Sequence, residues 1–369
     1  LIYIYQLDKK MNKQLIIFNP SIEDGGVEKN LFLIANHIAN KKIKVIIISA
    51  DKNKRNRFNK SVKFVYPKNI NFENSGRYKK YFYSLILLIK TIIFKKNVTV
   101  FSFQANIYTL LICKILGIKT IVRLNTAPQG WDHNFIKSKI YKFFIKKADG
   151  IIVNSLNFKN EVKLRYKVNS KLILNPFDFE HIKLLANKKI KKVFPDNVLR
   201  LINVGRLTDQ KDQILLLKTV NLIKYKLKVY LIIIGKGQNY ALLKKYINKN
   251  KLHNQIKLLG YKKNPFQYIK QSDIFLLSSK YEGSPNVLVE ALFLKKHIIS
   301  TNCPTGPKEI LKNGKLGKLF NVGDYKMLAK LLLSFKKERK KTINYDKQLS
   351  IYNKEVNCKK YYDYIKKFI

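Results

Sequence analysis

The sequence is short of carboxylates. It holds 23 Asp and Glu against 74 Lys and Arg, a formal net charge of +51 over 369 residues. No two aspartates stand one residue apart, so the Asp-x-Asp pair that would seat a divalent cation is missing. Cysteine is nearly absent too. Cys113, Cys303 and Cys358 are scattered, which excludes a disulfide frame and a Cys-rich zinc site and fits a reducing cytoplasm. Long apolar runs are lacking: nothing reaches the roughly 18 charge-free residues of a membrane span. Residues 81–94 come closest, interrupted by Lys90 and flanked by Lys79, Lys80, Lys95 and Lys96. They read as an amphipathic or half-buried domain helix, with a helix resting on a membrane surface as the alternative. No secretory signal with a small-residue cleavage site is present, and no internal repeat below the level of whole domains. Met11 opens MNKQLIIFNP like a natural start, so residues 1–10 read as an upstream extension.

What is present points to a packed protein. Hydrophobic residues make up 46% and aromatics 12%, enough for a core and too much for a disordered chain. The charge invites a nucleic-acid reading, but its distribution weakens it. Residues 1–175 carry 33 basic and 9 acidic groups, and residues 176–369 carry 41 and 14, so neither half is a basic module. No specific nucleic acid is expected as partner. An anionic membrane surface is, because such a charge attracts one.

Apolar runs of strand length alternate with helix-length segments almost throughout, the pattern of parallel sheets with helices on both faces. Strands are expected near 14–18, 44–50, 62–66, 98–103, 119–124, 150–153 and 171–174. Asn175-Pro176 punctuates the series, and a lysine-rich, aperiodic linker runs to about 198. The alternation then restarts with strands near 199–204, 228–234, 255–260, 274–278, 297–301 and 318–320. The economical reading is an α/β chain of two Rossmann-like, doubly wound domains facing a cleft. One covers 11–175 and one 176–345, with a tail over 346–369 whose helix returns to the first domain. In such sheets ligands sit at the carboxyl ends of the strands.

Residues 278–311 concentrate the chemistry. A buried strand leads into Tyr281-Glu282-Gly283-Ser284-Pro285 and then a helix beginning Asn286-Val287-Leu288-Val289-Glu290. Ser284 is expected as N-cap and Pro285 as first helical residue. The N–H groups of Asn286, Val287 and Leu288 then lack intrahelical acceptors and, with the helix dipole, form an anion site. Glu282 lies before the helix and Glu290 within it. A phosphate-sized hole between two hydroxyl-reading carboxylates suits a nucleotide sugar.

Two glutamates with seven residues between them, in EGSPNVLVEA, resemble the signature of glycosyltransferase family 4, retaining enzymes of the GT-B type. The resemblance covers most of the chain and is strongest from Asn203 to Asp324. It implies that Glu282 contacts the donor sugar and Glu290 the ribose, while the backbone from Gly283 and Ser284 to Leu288 faces the diphosphate. Asn203-Val204-Gly205-Arg206-Leu207 with Gln210-Lys211 is similar to the family's GRL…QK segment, whose cations meet that diphosphate. Only eight of the 74 basic residues are arginine, so Arg206 is the more telling. A bidentate Arg and a point-charge Lys stabilise a departing diphosphate without metal or cofactor. Gly237, in Gly235-Lys236-Gly237, and Tyr261 fall where the family approaches ribose and base. Gly25 and Gly26 resemble the family's N-terminal GG-x-E segment, on the phosphate or acceptor side.

Asn125 stands near where many relatives carry a histidine. His133 is a candidate base set against a plain surface histidine. The resemblance implies transfer of a hexose or N-acetylhexosamine from a nucleotide sugar, with UDP the favoured carrier. The acceptor expected is a lipid-linked or envelope glycan, as in lipopolysaccharide and other polysaccharide synthesis, and the place the cytoplasmic face of the cell membrane. A nucleotide-sugar epimerase and a non-catalytic nucleic-acid or membrane-binding protein are the alternatives.

Overall fold

The computed structural model describes residues 14–335 and 345–369, except 24, 42, 69, 73, 74, 96, 126, 127 and 129–134. Residues 1–10, Trp131 and His133 lie outside them. The chain divides into two compact units, Leu1–Phe177 with Lys354–Ile369, and Asp178–Asn353.

In the first unit seven strands form a sheet in the order β3-β2-β1-β4-β5-β6-β7. They are β1 (Gln14–Phe18), β2 (Lys44–Ile48), β3 (Lys63–Val65), β4 (Val98–Ser102), β5 (Lys119–Arg123), β6 (Gly150–Val153) and β7 (Lys171–Leu172). Every pairing is parallel, with Phe18 opposite both Ile48 and Ser102. Helices α1 (Gly26–Ala39), α2 (Arg77–Ile92), α3 (Asn106–Ile115), α4 (Phe135–Ile145) and α5 (Leu156–Tyr166) connect them. In the second unit the sheet order is β10-β9-β8-β11-β12-β13. Its strands are β8 (Leu199–Val204), β9 (Val229–Ile234), β10 (Ile256–Leu258), β11 (Ile274–Leu277), β12 (His297–Thr301) and β13 (Lys318–Phe320), again all parallel. Its helices are α6 (Phe179–Ala186), α7 (Gln213–Ile223), α8 (Tyr240–Lys249), α9 (Phe266–Gln271), α10 (Asn286–Phe293), α11 (Pro307–Ile310), α12 (Tyr325–Leu333) and α13 (Tyr345–Ser350). The last helix, α14 (Lys354–Ile365), belongs to the first unit.

The alternation of side chains along β1 and β2 divides the first unit's core in two. Leu15, Ile17, Val45 and Ile47 meet Leu31, Ile34 and Ala35 of α1 and Tyr361 and Ile365 of α14. Ile16, Phe18, Ile46 and Ile48 meet Leu88 and Ile92 of α2 and Cys113 of α3 on the other face. In the second unit Leu201, Leu231, Ile233 and Leu276 pack with Leu216, Val220, Leu243 and Leu328. Each such aliphatic side chain contributes about 1.5–3 kcal/mol by leaving water.

Four expectations need correction. The stretch after Asn175-Pro176 is not a featureless linker: it contains α6, started by Asp178, whose carboxylate accepts from the His181 N–H at 3.1 Å. Ile182 and Ala186, one turn apart, are its buried stripe. The return to the first unit begins at Lys354 rather than 346, because α13 stays with the second unit. In α10 it is Pro285, with extended backbone at ψ 102°, that holds the N-cap position, so the helix starts at Asn286 and Ser284 stands one residue outside. The Leu288 N–H donates to the Pro285 carbonyl at 3.0 Å and so does have an acceptor.

Candidate active site

In the second unit the chain builds outward from β8 through β9 to β10, then restarts beside β8 with β11 and runs through β12 to β13. The loops after β8 and β11 therefore leave in opposite directions and open a crevice at the carboxyl edge, where open α/β sheets bind ligands. These two loops carry Arg206 and Lys211, and Glu282 to Pro285.

Side-chain and backbone bonds tie the two loops together. Lys211 Nζ lies 2.5 Å from Glu282 Oε1, and the Ser279 hydroxyl donates to the same oxygen at 2.6 Å. The Lys211 carbonyl accepts from Ser278 Oγ at 2.7 Å, Gln210 Nε2 donates to the Tyr281 carbonyl at 2.9 Å, and the Lys280 N–H donates to the Gln210 carbonyl at 2.8 Å. Glu282 is buried and Lys211 half-buried. An ammonium has three N–H donors, so pairing with Glu282 leaves it able to serve a phosphate oxygen as well. Arg206 is exposed, and its charge reaches Tyr281, where burial pushes the phenol's pKa up and the guanidinium opposes the rise.

Below the Glu282 turn lies a support that the sequence does not announce. Thr305 Oγ1 donates to the Glu282 carbonyl, and Thr301 Oγ1 to the Ser279 carbonyl at 2.7 Å. Thr305 (φ 58°) and Gly306 (φ 86°) are both left-handed. A Cβ on Gly306 would meet Pro285 Cδ at 2.6 Å and the Gly283 carbonyl oxygen at 3.0 Å, so only glycine lets this turn seat the start of α10. Glu290 is 1% exposed, inside α10.

The glycines after β9 have a role apart from any ligand. A Cβ on Gly235 would stand 1.8 Å from the Gly205 carbonyl oxygen, and one on Gly237 2.3 Å from that of Leu207. The turns after β8, β9 and β10 are hydrogen-bonded edge to edge: Leu207 N–H to the Lys236 carbonyl at 3.0 Å, Gly235 N–H to the Gly260 carbonyl at 2.9 Å. Tyr261 follows on this rim, exposed, with Lys236 Nζ 5.4 Å from its ring centroid.

In the first unit the switch of strand order falls between β1 and β4. Gly25 is the N-cap of α1, and Gly26 its first residue. Buried Glu28, in that first turn, accepts from Gln104 Nε2 at 3.1 Å. Gln104 was not a sequence candidate; its signal is its position just past a strand end, two residues after β4. Asn125 is committed internally. Its Oδ1 accepts from Arg123 Nη1, and its Nδ2 donates to the Phe103 carbonyl at 2.5 Å. Arg123 is fully buried, with Nε donating to the Tyr361 hydroxyl at 2.9 Å and Nη2 to Asn175 Oδ1 at 2.7 Å. Among the described residues no three His, Cys, Asp or Glu side chains cluster as metal ligands.

Known proteins show the same plan. Residues 24–181 match the model of Glycosyltransferase Family 4, and residues 186–356 that of Glycosyl transferases group 1. The chain belongs to glycosyltransferase family 4. This family 4 chain is 39% identical over 179 residues to an uncharacterised glycosyltransferase of Methanocaldococcus jannaschii, covering 46% of the chain and 44% of that relative. It is 29% identical over 227 residues to a Campylobacter jejuni enzyme, covering 58% of the chain and 60% of that protein. The latter is N-acetylgalactosamine-N,N'-diacetylbacillosaminyl-diphospho-undecaprenol 4-alpha-N-acetylgalactosaminyltransferase. The matches thus span about half the length of these two relatives. The crystal structure of Anabaena HepE with UDP and glucose superposes with a TM-score of 0.69 at 16% identity, over 94% of this chain and 95% of that one. The fold is the two-domain, Rossmann-like GT-B type.

Proposed function

We propose that this family 4 chain moves a hexose or N-acetylhexosamine from a nucleotide sugar, with UDP as carrier, to a lipid-linked or cell-envelope glycan, with retention and without a metal ion. One observation carries the reading: the carboxylate of Glu282, the ammonium of Lys211 and the guanidinium-bearing Arg206 loop converge at the switch point of the second unit's sheet. A nucleotide sugar needs this set. Charge grows on the leaving diphosphate, and Arg206 and Lys211 oppose it. Glu282, fixed by Lys211 and Ser279, orients the sugar. Glu290 accepts the ribose hydroxyls, and the start of α10 receives phosphate. UDP is favoured because HepE is seen with UDP and glucose. The lipid-linked acceptor is favoured because the Campylobacter relative acts on a diphospho-undecaprenol glycan by its name. Retention rests on the family resemblance, and metal independence on that resemblance together with Arg206 and Lys211 as the cations offered to a diphosphate.

The test is a melting-temperature screen over nucleoside diphosphates and their sugars, followed by turnover with the stabilising donor. A ligand at 100 times its Kd stabilises by about 2.7 kcal/mol, so a specific UDP shift is readily seen. Turnover should persist in EDTA, and the new linkage should keep the donor's anomeric configuration by NMR. An epimerised sugar formed without acceptor, or EDTA-sensitive turnover restored by manganese, would overturn the corresponding part. Glu290→Gln should weaken nucleotide binding, a ground-state contact worth about 1.5–3 kcal/mol per charge-assisted bond. Glu282→Gln and Arg206→Ala should lower kcat more than affinity. Calorimetry with UDP beside donor kinetics separates the two effects.

A further inference from the structure

Helices α2, α3 and α4 lie side by side on one face of the first unit's sheet: α2 touches α3, and α3 touches α4. Right-handed crossovers dictate this, since β3 to β4, β4 to β5 and β5 to β6 all step the same way across the sheet. On α2 the buried side is Lys80, Ser84, Leu88 and Ile92. At 100° per residue, the opposite side is Tyr78, Phe82, Ile86, Ile89 and Ile93. A helix packed on one sheet needs one apolar stripe, and α2 has two. Tyr78 is 87% exposed and Phe82 60%. The outward side of α3 repeats the pattern with Tyr108, Leu111 and Ile115, the last 75% exposed. That of α4 does so with Ile136, Ile140 and Phe143, exposed by 68%, 47% and 59%.

The charge on these helices has one sign. Together they hold eight Lys and Arg and not one Asp or Glu; buried Lys80 pairs with Asp51, and Arg77 and Lys114 with Glu23 and Asp149, all three carboxylates lying outside these helices. Lys79 and Lys90 flank the outer stripe of α2, and Lys147 Nζ lies 5.5 Å from the Phe143 ring centroid. None of the described helices is long and apolar enough to cross a membrane.

We propose that this three-helix face lies on an anionic lipid bilayer, with its apolar stripes in the headgroup–acyl boundary and its lysines at the level of the lipid phosphates. Both halves of the pattern select that occupant. A polyphosphate backbone would satisfy the lysines and leave the aliphatic tips of Ile115, Ile136 and Ile140 without an apolar partner. A second copy would cover the tips and set the outward lysines of one copy against those of the other. The inference does not depend on sugar transfer, because vesicle binding needs no donor.

The experiment is flotation of the full chain with vesicles of phosphatidylcholine alone or with about 30% phosphatidylglycerol, in 0.1 M and 0.5 M KCl. Binding is expected only with the anionic lipid, and is expected to fall at least tenfold in high salt. Ile115→Glu with Phe143→Glu should lose at least tenfold at 0.1 M salt. Leu222→Glu with Tyr225→Glu, exposed residues of the second unit carrying the same charge change, should lose less than twofold. Melting curves report whether each variant is folded. If the Glu pair is not, Ile115→Trp in a Trp131→Phe background serves instead: its emission should shift to the blue and be quenched by brominated lipid. Equal loss in both double variants, no binding to anionic vesicles, or an indole at position 115 that brominated lipid fails to quench would overturn the proposal. So would tighter binding to a duplex oligonucleotide at equal phosphate, or a dimer that the Glu pair dissociates.

Discussion

Gly205 and Gly235 lie in touching turns and should respond oppositely to one methyl group. A Cβ at Gly235 lands 1.8 Å from a backbone oxygen, which cannot swing away. Gly235→Ala should therefore cost about 3 kcal/mol in urea denaturation, the upper range for overpacking. At Gly205 the nearest atom to an added Cβ is Lys211 Cδ at 3.7 Å, ordinary contact, so Gly205→Ala should change stability by under about 0.5 kcal/mol. If a diphosphate closes on this backbone, Gly205→Ala should still weaken UDP binding tenfold or more by calorimetry. Unchanged affinity would place the phosphates elsewhere. The chemistry of this loop was legible in the sequence because Arg, Lys and Glu are needed as types at set spacings. What was not legible is which contacts are ligand-facing. Gly235 and Gly237 resemble ligand-approach glycines in sequence, yet the neighbouring turn already requires them. Ser279 and Thr305 gave no signal, since hydroxyl side chains are common and only the fold shows that both bond to Glu282.

At the scale of elements, α14 is bound to the first unit by a buried cation. Arg123, on β5, donates to Tyr361 of α14, to Asn175 and to Asn125, all neutral. Removing the Tyr361 hydroxyl leaves a buried charged N–H without its acceptor, at a cost of about 1.5–3 kcal/mol. Tyr361→Phe should lower the urea midpoint accordingly. In the Arg123→Met background the same change should cost under about 0.5 kcal/mol, a coupling that a double-mutant cycle reads directly. Equal costs in both backgrounds would mean that the ring's packing, not the bond, holds the helix. Strand placement followed from alternation alone, because a parallel sheet buried on both faces leaves continuous apolar runs such as those of β1 and β9. Shorter features were harder to place. The helix α6 is eight residues long with two buried positions, too few to set a period, although Asp178 was a readable cap. The shift of the α10 cap from Ser284 to Pro285 turns on a single ψ angle.

For the whole molecule, the charge sets the response to salt. A formal +51 on 43.3 kDa means that cations outnumber carboxylates, 74 to 23. Ion pairs such as Arg77–Glu23 and Lys114–Asp149 use up carboxylates of which the sequence has only 23. Added salt weakens both attraction and repulsion between exposed groups, with a screening length of about 10 Å at 0.1 M. With 23 carboxylates available to attract 74 cations, repulsion is the larger sum, and relieving it favours the compact state. Raising KCl from about 20 to about 300 mM should therefore raise the melting temperature. Cysteine chemistry gives a second reading of the same equilibrium. Burial pushes the Cys113 thiol up to about 11 and those of Cys303 and Cys358 up to about 12. Iodoacetamide at about pH 8 should thus label none of them while the chain is folded, and all of them in urea. The rate of labelling without urea then measures opening, and it should slow as salt is added. The salt that tightens the fold should also release the chain from anionic vesicles, because that attraction is screened in the same way. A melting temperature that falls with salt, with faster labelling, would show that the ion pairs outweigh the excess charge.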